Sequence, residues 1–299
     1  MSNQNYLAIY AKSFNWAGFF LPKKTYQKCS SLYDFCRVVD NIADDENPIE
    51  FKKEKLKSFE NDFNQKNFEN PIIENMWKLI DEFDISLKIV HDLFDGIKSD
   101  IKEKVKFNSK KELLIYSYRV AGTVGLMMAK ILRVNKGSSL MSAIDLGIAM
   151  QLTNISRDVI EDLNKNRSYI NENFDDIKST LKLSEKFYEN SFYSIREIPI
   201  SFRFSILVAR RVYRKIGYKI LNQKDFKSYK ECGKIYVSNF EKITQTLLSV
   251  LDLIKLFLIY KNDKNIVHDH ALLNEEINLN ERIWLYNYWW WVCWIISCI

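Results

Sequence analysis

Two pairs of aspartates stand four residues apart in stretches of sequence that are otherwise apolar. The first pair is Asp40 and Asp44 in FCRVVDNIADD, and the second is Asp158 and Asp162 in AMQLTNISRDVIED. On a helix such residues share a face, and like charges at this spacing destabilise it unless a cation lies between them. Mg²⁺ suits this position because it binds one or two carboxylates together with waters and phosphate oxygens.

The residues around both pairs favour a metal site over ordinary surface carboxylates, which the spacing alone does not exclude. Arg37 precedes Asp40 by three residues, and Arg157 directly precedes Asp158. One predicted helix face carries polar residues at steps of three, four and four: Gln151, Asn154, Asp158 and Asp162. Carboxylates that bind metal, next to arginines that bind phosphate, are typical of diphosphate chemistry.

Two glycines interrupt the strongly apolar helix that lies between these pairs. Gly122 and Gly125 belong to the run VAGTVG, and each costs about 1 kcal/mol relative to alanine in a helix interior. Either close packing of two helices or a long lipid chain lying against the backbone accounts for them. The sequence leaves both interpretations open.

The composition predicts that helices position these residues. The chain of 299 residues contains only 8 Gly and 4 Pro, too few for the turns of an all-β sandwich or barrel. Hydrophobic residues make up 47% and charged residues 27%, which is compatible with a folded core and excludes a disordered chain. We therefore expect an all-α fold with a single large domain.

Helix start and stop signals divide the chain. Pro22 and Asn70-Pro71 each begin a predicted helix, Asn47-Pro48 ends one, and Ser109 with Glu112 forms a capping box. Pro199 begins another helix. The remaining predictions are a helix ending at residues 135–137, a helix over 138–162, a loop over 163–178 and a long helix over 225–260.

Charge, cysteines and the N-terminal sequence restrict the class of protein. The net charge of +6 is compatible with anionic lipid or a diphosphate substrate, and no dense basic block predicts nucleic-acid binding. Five cysteines and three histidines form no zinc motif. Because the N-terminal sequence lacks the features of a signal peptide, we expect a cytoplasmic protein.

The C-terminal segment IWLYNYWWWVCWIISCI, residues 283–299, differs from the rest of the chain. It is slightly shorter than the roughly 20 residues of a membrane-spanning helix, and its Trp and Tyr residues favour the membrane interface. Anchoring at the inner face of a membrane, docking on a protein surface and a non-native tail all stay open. We expect one domain over 1–262, followed by a linker and this Trp-rich tail over 263–299.

Five stretches together resemble the squalene/phytoene synthase family, and within it phytoene synthases more than eukaryotic squalene synthases. They are AKSFNWAGFFLP (11–22), LYDFCRVVDNIADD (32–45), YSYRVAGTVGLMM (116–128), DLGIAMQLTNISRDVIEDLNKNRSYI (145–170) and ARRVYRKI (209–216). The resemblance implies an isoprenoid-synthase fold around a central cavity. It also implies head-to-head joining of two geranylgeranyl diphosphates, through a cyclopropylcarbinyl diphosphate, to phytoene, the first committed step of carotenoid synthesis.

The resemblance also implies roles for individual residues. The positions of the metal ligands, for Mg²⁺ or its substitute Mn²⁺, are Asp40, Asp44, Asn154, Asp158 and Asp162. Those on the diphosphate side are Lys12, Ser13, Tyr33, Arg37, Arg157, Arg167 and Tyr169. Those facing the reacting carbons are Tyr116, Gln151 and Tyr213, and those along the prenyl tail are Val120, Ala121, Val124 and Gly125.

Three positions depart from the family pattern. Asn41 replaces a frequent second acid, and Tyr10-Ala11 replaces the His-Ser that often precedes Lys12-Ser13-Phe14. After Tyr236-Val237-Ser238, Lys242 is the candidate for a basic residue that some members carry.

Two alternatives to phytoene synthesis stay open, of which only the first would use the same residues. One is a squalene, dehydrosqualene or hydroxysqualene synthase that uses two farnesyl diphosphates. The other is a non-catalytic relative acting as an assembly factor, in which the aspartates should be eroded. Phytoene formation needs no NADPH, and the sequence carries no Gly-rich nucleotide-binding motif. Oligomeric state cannot be predicted from these residues.

Overall fold

Helices form nearly all of the computed structural model, which describes residues 12–258 and 272–277. The α-helices are α1 (Lys12–Gly18), α2 (Lys23–Asp44), α3 (Ile49–Asn64), α4 (Pro71–Phe83), α5 (Leu87–Asp100), α6 (Lys110–Ser117), α7 (Thr123–Ile131), α8 (Gly137–Arg157), α9 (Val159–Asn164), α10 (Phe174–Phe192), α11 (Ile200–Leu221), α12 (Phe226–Glu231), α13 (Asn239–Leu258) and α14 (Asn274–Ile277). A π-helical turn over Tyr118–Gly122 joins α6 to α7, and a 3₁₀ turn over Tyr193–Glu197 follows α10. The parallel strands β1 (Val105–Lys106) and β2 (Arg167–Ser168) pair with each other.

The local start signals predicted from the sequence are confirmed. Helices α2 and α11 begin directly after Pro22 and Pro199, as predicted. The Asn70 side chain accepts a hydrogen bond from the Ile72 N–H at 3.0 Å. Ser109 accepts one from the Glu112 N–H at 3.2 Å, while the Glu112 carboxylate accepts from the N–H of Asn108. These side chains satisfy backbone donors that a helix start otherwise leaves without partners.

The single helix predicted over 138–162 is wrong, because α8 ends at Arg157 and α9 begins at Val159. The residue between them, Asp158, has φ −104° and ψ 15°. Its carboxylate pairs with the guanidinium of Arg157. On a regular helix, side chains of adjacent residues point in different directions. The ion pair between Arg157 and Asp158 therefore goes together with the non-helical backbone at Asp158.

Two further predicted boundaries are wrong. The helix predicted over 225–260 is divided into α12 and α13, because Gly233 adopts φ +66° and cannot continue a right-handed helix. The loop predicted over 163–178 ends early, because the side chain of Asn173 accepts from the N–H of Asp176 at 2.8 Å and starts α10. The same loop also contains β2.

Helix α8 is the centre of the fold and packs against α7, α10 and α11. A Cβ atom on Gly147 would lie 2.2 Å from the carbonyl oxygen of Ala121, and one on Gly125 would lie 2.3 Å from that of Ala143. Both distances are shorter than any normal contact. Close packing of helices therefore accounts for Gly125, although its backbone also lines the central cavity.

Parts of the predicted domain organisation fall outside the described residues. They include the boundary between 262 and 263 and the apolar segment 283–299. Among the helices that the structure describes, none is long and apolar enough to cross a membrane. The cytoplasmic location and the anchoring of the tail stay predictions.

Candidate active site

A central cavity of about 1170 Å³ lies between the helices. It is lined by all predicted site residues whose side chains are described: Ser13, Tyr33, Arg37, Asp40, Asp44, Tyr116, Val120, Ala121, Val124, Gly125, Gln151, Asn154, Arg157, Asp158, Asp162, Arg167, Tyr169 and Tyr213. The side chain of Lys12 lies outside the described residues. Residues separated by up to 200 positions in the chain thus share one cavity.

The first aspartate pair occupies the last two turns of α2. Arg37 donates to Asp40 at 2.7 Å from one turn earlier on the same helix. Arg167, in β2, donates to Asp44 at 2.7 Å, and Lys165 contacts the same carboxylate at 3.2 Å. The segment that follows α9 is therefore tied to the end of α2 by charge.

The second pair lies where α8 passes into α9. Arg157 Nε donates to Asp158 Oδ1 at 2.8 Å, and the Nζ atom of Lys234 lies 3.5 Å from the same oxygen. Asp162 makes no ion pair within the described part of the chain. Burial and the negative charge of Asp158 raise the pKa of Asp162 to about 7. Burial and the charge of Asp44 raise the pKa of Asp40 to about 6.

Asp100, at the end of α5, lines the same cavity as the two aspartate pairs and is not among the residues predicted from the sequence. Its carboxylate accepts hydrogen bonds from the hydroxyls of Tyr116 and Tyr169, each at 2.7 Å. The two tyrosine rings stack with centroids 4.7 Å apart. Burial raises the pKa of Asp100 and those of both phenols, so the phenols stay protonated and donate. A signal was present, since Asp100 continues the apolar stripe of Leu93 and Ile97.

Further charged side chains line the cavity beside the aspartates. Lys165 contacts Asp44, and Lys234 contacts both Asp158 and Glu161. Lys242, the predicted basic residue, is buried and also lines the cavity. Lys234 was not predicted from the sequence. The family pattern places a basic residue after the Tyr-Val-Ser motif, whereas Lys234 lies before it.

Apolar side chains predominate in the rest of the cavity, where several serines also contribute to the lining. The π-helical turn supplies Val120 and Ala121, and α7 supplies Val124. The ring of Tyr213 packs on that of Phe14 with centroids 4.8 Å apart. The cluster of aspartates, arginines and lysines therefore forms the polar end of the cavity, and the remainder offers a mainly apolar surface that suits hydrocarbon.

The polar end fits a divalent cation with oxygen ligands. The Oδ1 atom of Asn154 is buried without a hydrogen-bond partner among the described residues. It lies on the same cavity as Asp40 and Asp162, whose pKa values are raised first by burial and then by repulsion from a neighbouring carboxylate. Nowhere in the described chain do three acidic, His or Cys side chains form a ready-made cage. Mg²⁺ commonly binds one or two carboxylates plus waters and phosphate.

Comparison with known sequences identifies relatives of this chain. A family model described as squalene/phytoene synthase matches residues 7–174. The 15-cis-phytoene synthase of Pantoea ananas is 28% identical over 247 residues, which cover 72% of this chain and 80% of that protein. Phytoene synthase 1 (chloroplastic) of Solanum lycopersicum is 27% identical over 267 residues, or 79% of this chain and 64% of that protein.

Comparison with solved structures confirms the predicted isoprenoid-synthase fold. The crystal structure of a dehydrosqualene synthase in complex with ligand superposes with a TM-score of 0.73 at 26% identity, covering 84% of this chain and 94% of that chain. A squalene synthase from Alicyclobacillus acidocaldarius gives a TM-score of 0.62 at 17% identity, covering 72% of this chain and 90% of that chain. The second similarity concerns the fold alone.

Proposed function

The chain belongs to the squalene/phytoene synthase family of prenyltransferases, and we propose that it joins two geranylgeranyl diphosphates head to head to form phytoene. The observation that carries this proposal is the composition of the cavity. Two aspartate pairs and three arginines line the same cavity as the apolar residues of the π-helical turn and α7. A diphosphate with a long hydrocarbon tail matches both parts.

Sequence similarity favours the C20 diphosphate over the C15 diphosphate as the substrate. The relatives named phytoene synthase support this choice, as does the run AGTVGLMM, residues 121–128. In the proposed reaction one allylic diphosphate ionises and releases inorganic diphosphate, the double bond of the second substrate attacks the allylic cation, and loss of a proton closes the cyclopropane ring. Ionisation of the cyclopropylcarbinyl diphosphate releases the second inorganic diphosphate, and rearrangement with loss of a second proton gives phytoene.

The aspartates with Asn154, and the arginines, have separate roles in this proposal: the first group would bind metal and the second would bind phosphate. Asp40, Asp44, Asn154, Asp158 and Asp162 would hold the metal ions. Mg²⁺, when bound, supplies positive charge that neutralises the departing diphosphate. Arg37, Arg157 and Arg167 lie against these carboxylates, so each can turn to bind phosphate oxygens once the carboxylates bind metal.

The uncharged residues orient the substrate and exclude water. The hydroxyls of Tyr116 and Tyr169 hold Asp100 in place, and their raised pKa values keep them neutral. Val120, Ala121 and Val124 would contact the prenyl tail. Apolar walls protect a carbocation because they keep nucleophilic water away from it.

A chain-length assay tests this proposal. Purified protein is incubated with Mg²⁺ and either the C15 or the C20 diphosphate, with and without NADPH, and the hydrocarbon products are separated by chromatography. We expect phytoene from the C20 substrate, independent of NADPH. An exclusive C30 product would contradict the proposal.

A C30 synthase is the second candidate. The dehydrosqualene synthase structure supports this candidate, since it superposes along 94% of its own length. The same assay separates the two because the products differ in carbon number. A non-catalytic assembly factor is less well supported, since all four paired aspartates are present and line the cavity.

A further inference from the structure

The last long helix, α13, is mainly polar on its buried face and apolar on its exposed face. Of its four buried residues, Ser249, Lys242 and Asp252 are polar and Leu256 is apolar. Large apolar side chains exposed by 42–78% occupy the opposite side, and we call them the outer face of α13: Phe240, Ile243, Leu247, Val250, Leu251, Ile254, Phe257 and Leu258. A helix on the surface of a globular protein normally shows the reverse arrangement.

Polar contacts fix the helix in this orientation. The Nη2 atom of Arg211 donates to Asp252 Oδ1 at 2.8 Å in an ion pair between α11 and α13. The indole N–H of Trp16 donates to the Thr246 hydroxyl at 3.0 Å and ties α1 to α13. Turning α13 to bury its apolar side would break these bonds and leave their polar groups without partners. Contact with another molecule or segment is therefore needed to cover the outer face.

The outer face is long and continues onto two other elements. From Phe240 to Leu258 the helix extends about 27 Å, at 1.5 Å per residue. The guanidinium of Arg203 lies 5.7 Å from the ring of Phe257, and the neighbouring Phe204 ring packs edge-on against Phe20 at 5.0 Å. Beyond these contacts, Phe19 and Ile200 are 73% and 64% exposed. Exposed apolar patches of this extent are rare on monomeric proteins and mark interaction sites.

Basic side chains flank this apolar surface. Lys23 and Lys24 are exposed and follow Phe19 and Phe20 by a few residues. Lys255 is exposed on α13 itself. Of the nearby acidic groups, Glu241 and Glu197 are each paired with a lysine. An apolar surface with cations at its edge is complementary to acyl chains below a layer of negatively charged head groups.

We propose that the outer face of α13, together with Phe19, Phe20 and Ile200, docks on the surface of an anionic lipid bilayer. The surface draws residues from three elements and is broader than the seam that a single partner helix would fill. Cavity-lining residues lie beside it in sequence, since Gly18 and Leu21 flank Phe19 and Phe20, and Ile198 precedes Ile200. The proposal concerns binding and holds whichever hydrocarbon the enzyme makes.

Vesicle co-sedimentation of the full-length chain tests the proposal. The vesicles contain either phosphatidylcholine with phosphatidylglycerol or phosphatidylcholine alone. The variant carries Leu247→Glu and Leu251→Glu, which place two charges on the outer face. The control carries Phe51→Glu and Leu87→Glu, which place the same charges at residues exposed by 48% and 41% elsewhere on the molecule.

We expect the unmodified chain to bind the anionic vesicles more tightly than the neutral ones. The outer-face variant should lose about tenfold or more in partitioning, because acidic groups and lost apolar area both oppose docking. The control should stay within about twofold. A second variant, Phe19→Ser with Ile200→Ser, examines the same surface away from α13 and should also bind less. Circular dichroism checks that each variant is folded.

Several results would overturn the proposal. One is an unmodified chain that does not bind anionic vesicles, and another is an outer-face variant that binds as tightly as the unmodified chain. The latter would assign binding to another segment, such as residues 283–299, which both variants retain. The third is a dimer in light scattering that the outer-face variant dissociates while vesicle binding is unaffected, since the occupant would then be a second copy of the chain.

Discussion

Each aspartate of the first pair is held by an arginine, Asp40 by Arg37 and Asp44 by Arg167. The pKa of Asp44 is lowered by its cationic partners, whereas burial and the charge of Asp44 raise the pKa of Asp40 despite Arg37. Asp162 makes no ion pair within the described residues, and burial together with the negative charge of Asp158 raises its pKa. These cavity-lining carboxylates are distinct from the neighbouring Asp45, which does not line the cavity.

Replacing Asp40 by asparagine tests this distinction. We expect Asp40→Asn to lower the turnover number by about a hundredfold or more, because it removes a charged metal ligand beside the leaving group. The fold should be unaffected, since asparagine keeps the size and much of the hydrogen-bonding shape of aspartate. The measurement is product formation at saturating Mg²⁺, together with circular dichroism.

Asp45 provides the matched control for that experiment. It directly follows the first pair, pairs with Lys55 at 3.2 Å and is absent from the cavity lining. Asp45→Asn should retain activity within about threefold, as expected for a surface substitution. Similar activity for the Asp40 variant and the unmodified protein would remove Asp40 from the metal site.

The effect of Mg²⁺ on thermal stability should depend on pH. In the metal-free fold the pKa values of Asp40 and Asp162 are about 6 and about 7, above those of the unfolded chain. Protonation of these groups therefore stabilises the metal-free fold at low pH, and this stability is lost as the pH rises through 6 to 7. Mg²⁺ binds the deprotonated carboxylates, so its stabilising effect should grow over the same range.

Differential scanning fluorimetry at several pH values measures this effect. We expect Mg²⁺ to raise the melting temperature by a few degrees at pH 8 and by much less at pH 5.5. Asp162 should contribute more than Asp40, whose side chain keeps 40% of its surface exposed to solvent. An equal shift at both pH values would indicate that Mg²⁺ binds elsewhere.

Much of the site could be predicted from sequence, but not Asp100. The paired aspartates stand close to each other and to arginines in the chain, so their chemistry is visible within short stretches. Asp100 acquires its role only by packing against Tyr116 and Tyr169, which are 16 and 69 residues away. A single carboxylate beside an apolar stripe is also common at ordinary helix ends, and only the folded chain brings the two phenols to this one.

Between elements, the π-helical turn passes very close to α8 at Gly147. The backbone carbonyl of Ala121 would lie 2.2 Å from a Cβ at Gly147. Backbone atoms cannot rotate out of the way as side chains do. This contact sets the distance between the π-helical wall of the cavity and the helix that carries Gln151 and Asn154.

Gly147→Ala is expected to destabilise the fold. The added methyl group forces the π-helical turn and α8 apart, and overpacking of this kind costs about 1–3 kcal/mol. Chemical denaturation measures the free energy of unfolding. Activity should fall as well, because residues of both elements line the cavity.

Gly217→Ala in α11 is the matched control. A Cβ there would meet only the end of the Leu181 side chain, at 3.3 Å. That side chain can move, and alanine favours a helix by up to about 1 kcal/mol over glycine. We expect unchanged or slightly higher stability, and equal losses for the two variants would contradict the importance of the contact between the π-helical turn and α8.

Helix starts were predicted better than helix interruptions, for a physical reason. Pro22, Asn70 and Ser109 act on backbone groups within a few residues, so their effect can be read locally. The breaks at Asp158 and Gly233 lie inside apolar or charged periodic patterns that would continue a helix. The loop around Gly233 makes contacts that exist only in the folded chain, such as the ion pair of Lys234 with Glu161 at 2.6 Å.

At the scale of the whole molecule, the short segment 272–277 attaches distant sequence to the wall of the cavity. Leu273 is fully buried and Ile277 nearly so. Glu276 accepts a hydrogen bond from Arg119 of the π-helical turn at 2.7 Å, and its backbone oxygen accepts one from Lys88 at 3.2 Å. Residues 272–277 therefore pack against the domain that was predicted to end at residue 262.

Leu273→Ala measures the contribution of this segment. Removing a fully buried leucine side chain typically costs about 2–5 kcal/mol. The neighbouring Leu272 is 37% exposed, so Leu272→Ala should cost clearly less, about 1 kcal/mol. Equal effects of the two substitutions on the unfolding free energy would show that the segment does not pack as described.

The π-helical turn has a consequence for how this cavity changes between relatives. The N–H of Thr123 donates to the carbonyl of Tyr118, five residues earlier, so the turn holds one residue more than an α-helical turn. Each residue of an α-helix turns the chain by about 100°. Loss of one residue here would rotate Val124 and all of α7 by that angle. A single insertion or deletion is thus an evolutionary route to a different cavity wall that requires no substitution.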